Sequence, residues 1–272
     1  MSSPVPRSSL PNPLRQPEPF AAALDGRSPV LFTDYDGVLA PIMPTPDEAV
    51  MSASMRDAVR AAADALTLAV VSGRDLADVR SKVDIPGIYY AGSHGFDIVD
   101  PNGSPAGGGL AERFEAYLDP LARASNTVEA RLSAIDGVLV ERKRFATAIH
   151  YRNAGRGDLG AVETAVRDVV AAFPMLLVST GKEIFEYRPD LDWDKGTALE
   201  WLLGRLGVDN STQAPIYLGD DTTDEDAFRS IESIGVGVVV GIDGPPTLAR
   251  FSLTDTPEVE RFLLGLAGEV RP

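Results

Sequence analysis

Residues 30–41, VLFTDYDGVLAP, decide the architecture. An apolar, strand-forming run stops abruptly at Asp34, Asp36 and the turn residue Gly37, which is how a buried strand ends in an acidic loop. Residues 216–228, IYLGDDTTDEDAF, repeat the pattern: the run stops at Gly219 and presents Asp220 and Asp221. Carboxylates gathered at strand ends repel one another unless something positive lies among them, and a hard, oxygen-seeking cation such as Mg²⁺ answers that need. An ionised Asp beside such a cation can attack phosphorus, and a second Asp two residues along can carry the proton.

Outward from these runs the pattern is regular. Helical composition over 47–65 precedes a strand at Leu68–Val71 that ends in Ser72-Gly73-Arg74. A short helix leads to a strand at 88–91, ending near His94, and then to a hairpin through Asn102-Gly103. After residue 189 the alternation resumes with a helix at 194–206, strands at 216–218 and 235–240, and a last helix from Pro257. Such alternation predicts an α/β fold, a Rossmann-like doubly wound parallel sheet with its site at the carboxyl ends of the strands. Between the halves the order changes. Gly107-Gly108-Gly109 reads as a hinge, followed by a helix over 110–135, two strands within 138–151, a helix over 159–173 and strands at 176–178 and 183–187. The expected organisation is a core of 19–106 and 189–272 with an inserted α+β cap domain at 107–188. Six prolines in the first two dozen residues mark 1–18 as a disordered tail.

Composition narrows the chemistry. No cysteine is present, which excludes disulfides and thiolate-bound metals, and the two histidines leave carboxylates as the metal ligands. A formal net charge of −15 argues against nucleic acid or an anionic membrane as partner. No run reaches the ~20 apolar residues that span a bilayer, so a cytoplasmic, monomeric protein acting on a small molecule is the expectation.

The individual positions carry alternative readings. Ser72 offers a hydroxyl beside free helix N–H groups suited to phosphate, yet Ser72 with Asp75 is also a capping arrangement. Lys195 sits in the first turn of a helix, where a cation opposes the dipole; either the neighbouring acids neutralise it or it bridges a nucleophile and a phosphoryl group. Residues 219–226 hold five acids. Helix capping explains some of them but not Asp220, the expected metal ligand with Asp221 and Asp224 in support. In the insert, alternation places Arg144, His150 and Arg152 on one strand face, and Lys182, Glu186 and Arg188 on another. These are either solvated faces or a grip for a phosphosugar. His94 is either a backbone-bonded loop residue or part of the site.

In order, the strings DYDGVLAPI, VVSGRDL, AGSHGFDI, ERKRFATAIHYR, GKEIFEYRP, WDKGTALEWLL and YLGDDTTDEDAF resemble the haloacid dehalogenase superfamily, and within it the trehalose-6-phosphate phosphatases. That resemblance implies Asp34 as nucleophile and metal ligand, and Asp36 as acid and base whose carbonyl also meets Mg²⁺. It further implies Ser72 and Lys195 holding the phosphoryl group, and Asp220 completing the metal site. Arg74, His94, Arg144, His150, Arg152, Lys182 and Glu186 are assigned to the phosphosugar. Val38 stands where many superfamily members have Thr, and Ser93 where Asn is common. Core motifs alone leave open a phosphatase for sucrose phosphate or a glycosyl phosphoglycerate, a phosphomutase, or a non-catalytic sensor partnering a sugar synthase.

Overall fold

The computed structural model describes residues 3–106, 110–181 and 183–269. The chain divides into two compact units, Met1–Ser104 with Trp193–Pro272, and Pro105–Asp192.

The first unit is built on a seven-stranded sheet ordered β11-β10-β9-β1-β2-β3-β4. Its strands are β1 (Ser28–Thr33), β2 (Leu68–Val71), β3 (Tyr89–Gly92), β4 (Asp97–Val99), β9 (Gln213–Gly219), β10 (Val236–Val240) and β11 (Phe251–Leu253). Every pairing is parallel except β3 with β4. In β1, Leu31, Phe32 and Thr33 are all fully buried. Both faces of the strand are therefore covered, which is why its sequence is a continuous apolar run and not an alternation. Register does the rest: Thr33 lies opposite Val70 of β2 on one side and Leu218 of β9 on the other. The three strands end together, so Asp34, Ser72 and Asp220 emerge on one edge.

Helices α2 (Ala53–Ala65) and α9 (Thr256–Glu269) contribute Met55, Val59, Phe262, Leu263 and Leu266 to the core packed on the sheet. Helix α2 starts six residues later than the composition of 47–65 implies, because the Ser52 hydroxyl accepts the Met55 N–H at 3.0 Å and caps it there. Strand β11 was not expected from the sequence; at three residues it carries too little pattern.

From residue 3 onward the N-terminal segment is packed on the first unit, contrary to the disordered tail expected at 1–18. Val5 and Thr247 exchange two backbone hydrogen bonds of 2.9 Å, Ser252 donates to the Pro11 carbonyl at 3.1 Å, and Asn12 and Arg15 both reach Glu258 at 2.7 Å. Helix α1 (Pro17–Leu24) then sets Phe20 edge-on against Phe251 and Phe262. Proline richness here serves a strap that meets the edge strand β11 at Ser252, where a missing N–H costs nothing and the edge is covered.

The second unit carries α4 (Leu110–Glu115), α5 (Leu118–Leu132), β5 (Leu139–Arg142), β6 (Thr147–His150), α6 (Leu159–Ala171), β7 (Leu176–Gly181) and β8 (Ile184–Pro189), with the sheet antiparallel in the order β5-β6-β8-β7. The helix expected over 110–135 is two helices, since Pro120 has no N–H to return to residue 116. Ile149, Phe185, Tyr187 and Leu176 pack against Leu121, Val128, Val162 and Val166 of α5 and α6, and the Tyr187 hydroxyl donates to the Val166 carbonyl at 2.8 Å. Burial pushes that phenol well above its ordinary range. The opposite face aligns Glu141, Ala148, Glu186 and Ser179 across the four strands. The glycine hinge at 107–109 and Lys182 lie outside the described residues. Among the described residues, no helix is long and apolar enough to cross a membrane.

Candidate active site

Asp34 follows directly on β1, and its backbone N–H donates to the Leu218 carbonyl at 2.9 Å, extending the parallel ladder by one residue. One carboxylate oxygen accepts the Tyr35 N–H at 2.6 Å, and the other accepts from Lys195 Nζ at 2.5 Å. Lys195 opens helix α7 (Lys195–Leu206), which is capped by Asp194 accepting the Thr197 N–H at 2.8 Å. The Lys195 side chain is 2% exposed and also reaches Asp224 at 2.7 Å. Burial works against its charge, but Asp224 and Asp34 outweigh that and hold the ammonium above its usual range. Its carboxylate partners are not its neighbours in sequence: they come from the residue after β1 and from α8 (Asp224–Ser230).

Asp224 is fully buried and is the hub of the site. Its Oδ1 accepts from Lys195 and from the Tyr217 hydroxyl at 2.8 Å, and its Oδ2 accepts the N–H groups of Asp220 and Asp221, both at 3.0 Å. Four donors fill what a carboxylate can accept. Oxygens of Asp34, Asp220 and Asp224 lie within 4.8 Å of one another. Because Asp224 is saturated, the oxygens with capacity for a cation are those of Asp34 and Asp220. Burial, then the neighbouring carboxylates, push the Asp220 carboxyl up to about 8. Burial also raises Asp34 to about 7, against the pull of Lys195. Three carboxylates facing one ammonium leave this pocket in need of positive charge, and an all-oxygen donor set suits a hard divalent cation. Asp221, expected in support, is exposed and caps its own turn by accepting the Thr222 N–H at 2.7 Å.

Gly37 has a positive φ of 70°, and a Cβ placed on it would lie 2.1 Å from Asp220 Oδ2. The acidic loop turns back so closely that only glycine leaves room for the carboxylate. Gly37→Ala is expected to fold but to displace Asp220, lowering kcat by about 10²-fold and shrinking the rise in melting temperature that divalent cation confers. A variant with an unaltered cation-induced rise would show that Asp220 is not displaced.

Asp36 is held by Arg74 in a two-pronged ion pair, Nε and a terminal nitrogen each donating at 2.7 Å. The same guanidinium donates to Asp78 at 2.7 Å and to the Pro46 carbonyl at 2.9 Å, and stacks over the Tyr35 ring at 5.2 Å. Burial opposes its charge, while Asp36 and Asp78 raise its pKa further. Arg74, assigned from the sequence to substrate, instead spends its donors within the protein and holds Asp36. Ser72 is buried, and its Oγ accepts the Arg74 N–H at 3.2 Å, a bond that leaves the hydroxyl proton available to an anion. The helix-capping role belongs to Asp75, which accepts the Ala77 N–H at 2.9 Å ahead of α3 (Leu76–Val83). His94 donates its backbone N–H to the Ser72 carbonyl at 2.9 Å, and its ring lies where a Cβ on Gly73 would fall, so it packs on the Ser72 turn.

In the second unit, Glu186 pairs with Lys143 and His150 with Glu141, each at 2.8 Å. The His150 hydrogen bond holds the Glu141 carboxyl below its usual range. Arg144 and Arg152 are not strand residues as the alternation implied. Arg144 lies in the β5–β6 turn, which closes as Lys143 N–H meets the Ala146 carbonyl at 2.9 Å, and stacks on Phe145. Arg152 follows β6 and pairs with Glu183 at 2.7 Å. Both escape the two-residue alternation because it ends where the ladder ends. Tyr217 went unnoticed in the sequence; the signal was a phenol inside an aliphatic buried strand, which must find an acceptor.

A buried carboxylate, a buried ammonium and an aspartate with oxygens to spare, gathered at the carboxyl edge of a doubly wound sheet, suit phosphoryl transfer. The fold is that of the class of haloacid dehalogenase-like hydrolases, one of which, from Bacteroides thetaiotaomicron, superposes with a TM-score of 0.60 at 16% identity over 87% of this chain and 98% of that one. Within that class the chain belongs to the trehalose-phosphatase family, whose model matches residues 32–257. It is 39% identical over 271 residues to the trehalose 6-phosphate phosphatase RA3 of Zea mays, covering 95% of this chain and 75% of the maize protein. It is 42% identical over 268 residues to the trehalose-phosphate phosphatase of Mycobacterium tuberculosis, covering 97% of this chain and 67% of that one. The C-terminal domain of Candida albicans trehalose-6-phosphate phosphatase superposes with a TM-score of 0.77 at 23% identity, over 98% of this chain and 99% of that domain, a likeness of fold.

Proposed function

We propose that this chain hydrolyses trehalose 6-phosphate to trehalose and inorganic phosphate, as a monomer in the cytoplasm and with Mg²⁺ as its cation. The observation that carries the reading is the buried Asp34–Lys195–Asp224 constellation beside Asp220 in a chain of the trehalose-phosphatase family. Asp34 and Asp220, with the Asp36 carbonyl, would hold Mg²⁺, which when bound supplies charge neutralisation to the phosphoryl oxygens.

Asp34 Oδ attacks phosphorus, and the ester bond to the sugar oxygen breaks as Asp36 gives that oxygen a proton. Water, losing a proton to Asp36, then attacks the aspartyl-phosphate; the acyl phosphate bond breaks, and Asp34 and phosphate are released. Lys195 and the Ser72 hydroxyl hold the transferring group. Arg74 keeps Asp36 in place between the two proton transfers. Its fork must yield one oxygen each time Asp36 acts.

Sugar recognition is assigned to the polar face of the second unit's sheet, where Glu186, Lys143, Glu141 and His150 present paired charges. A panel of trehalose 6-phosphate, sucrose 6-phosphate, glucosyl phosphoglycerate and an aryl phosphate, assayed with Mg²⁺ for released phosphate, tests the substrate. Trehalose 6-phosphate is expected to give the highest kcat/KM, and a preference for another sugar would overturn the assignment. Release of phosphate without an activating bisphosphate separates hydrolysis from mutase chemistry. Glu186→Ala is expected to lower kcat/KM for trehalose 6-phosphate by about 10-fold or more and to leave the aryl phosphate unchanged; equal losses on both would remove Glu186 from sugar binding.

A further inference from the structure

The N-terminal strap delivers Arg7 to the acidic loop. Arg7 is 4% exposed, and its guanidinium donates to three main-chain carbonyls: Asp220 at 2.9 Å, Pro245 at 3.2 Å and Val240 at 3.4 Å. Among the described residues it has no carboxylate partner. A buried cation placed wholly on carbonyl oxygens is an expensive way to anchor a strap, so its location calls for a reason.

The pairing of β9 with β10 ends at Gly219 opposite Val239, so the Asp220 carbonyl lies beyond the sheet with no ladder partner. Arg7 supplies that partner. The peptide group joining Asp220 to Asp221 is then fixed at both ends, its C=O by Arg7 and its N–H by Asp224 Oδ2 at 3.0 Å. The N–H of Asp220 itself goes to the same Asp224 oxygen at 3.0 Å. With the peptide planes on both sides of its Cα fixed, the Asp220 backbone is locked, and with it the direction in which the carboxylate leaves the chain. Arginine suits the task because its planar fork spreads its donors over several nitrogens in fixed directions, whereas a lysine offers all three of its donors from one nitrogen.

We propose that Arg7 is a positioning residue for Asp220, so that the N-terminal strap is part of the metal site's outer layer. This rests on the reading of Asp34 and Asp220 as cation ligands. Outer-layer partners of metal ligands typically contribute 10–100-fold to metal affinity, and Arg7→Met is expected to weaken cation binding by about 10-fold.

The test is direct titration of the full chain with Mn²⁺, read by electron paramagnetic resonance of the free ion with no substrate present. Wild type, Asp220→Asn, Arg7→Met, Arg7→Lys and Asn12→Ala are compared, with melting temperatures alongside. Asn12→Ala loosens the same strap at Glu258, away from the acidic loop. The expected result is weak binding in Arg7→Met, an intermediate value in Arg7→Lys and wild-type affinity in Asn12→Ala. Affinities in Arg7→Met and Arg7→Lys equal to wild type would overturn the proposal, as would equal weakening in Asn12→Ala at matched loss of melting temperature. If Arg7→Met does not fold, the Arg7→Lys and Asn12→Ala pair decides the question in the same way. Equal Mn²⁺ binding by wild type and Asp220→Asn would instead refute the metal-site reading, a result distinct from either Arg7 outcome.

Discussion

Asp34→Asn is expected to lower kcat by at least ~10⁴-fold while the protein stays folded. An amide has no charge with which to attack phosphorus, and losing a nucleophile removes the covalent route altogether. The fold should survive because the amide keeps the volume and can still accept the Tyr35 N–H, and Lys195 retains Asp224. Stability carries a second signature. Burial raises the folded pKa of Asp34 to about 7 and that of Asp220 to about 8, both above the ordinary carboxylate value near 4. Between those limits the folded state binds more protons than the unfolded one, so the cation-free protein loses stability as pH rises from about 4 to 8. Asp34→Asn removes one of the two groups. Its cation-free melting temperature should fall less steeply with pH than that of wild type. Circular dichroism melts in chelator between pH 5 and 8, with single-turnover phosphate release, test both parts. Turnover near the wild-type rate would dismiss Asp34 as nucleophile, and parallel melting curves would dismiss it as a source of the pH dependence.

Lys195→Met is expected to damage stability and activity together. Among the described residues, the ammonium is the single cation within hydrogen-bond reach of Asp34 and Asp224, two carboxylates that are 6% and 0% exposed. Methionine fills the space but leaves buried charges unpaired, a change that typically costs about 3–5 kcal/mol. Urea unfolding in chelator measures it as a lower midpoint. Excess Mg²⁺ should recover part of the loss, because a divalent cation then neutralises carboxylates that the lysine no longer reaches. Activity should not follow that recovery: removing a donor aimed at developing phosphoryl charge costs roughly 10²–10³-fold in kcat. A wild-type urea midpoint in chelator would mean the carboxylates are neutralised by some other group.

Much of the core was legible because its signals are local. A strand buried on both faces must be apolar throughout, and it must stop where polar groups begin, so β1 and β9 announce both themselves and the edge where Asp34 and Asp220 gather. Lys195 stood out by breaking a local rule, a cation in a helix's first turn. The parts that were missed depend on partners far away in sequence. Arg7 reads as one basic residue among prolines, and its meaning lies in the Asp220 carbonyl 213 positions on. Arg74 reads as a residue free to bind substrate until Asp36, from the loop after β1, is seen to fill its fork.

What the sequence determined by itself is the chemistry present and the order of elements that carry it, since periodicity, turn residues and residue type are properties of neighbours along the chain. Which carboxylates have oxygens to spare, which is saturated, and which distant segment meets the acidic loop are decided only by tertiary structure. Hydrogen-bond capacity is consumed by whatever folding brings within 3 Å, and for Asp224 that meant one lysine, one tyrosine and two backbone N–H groups.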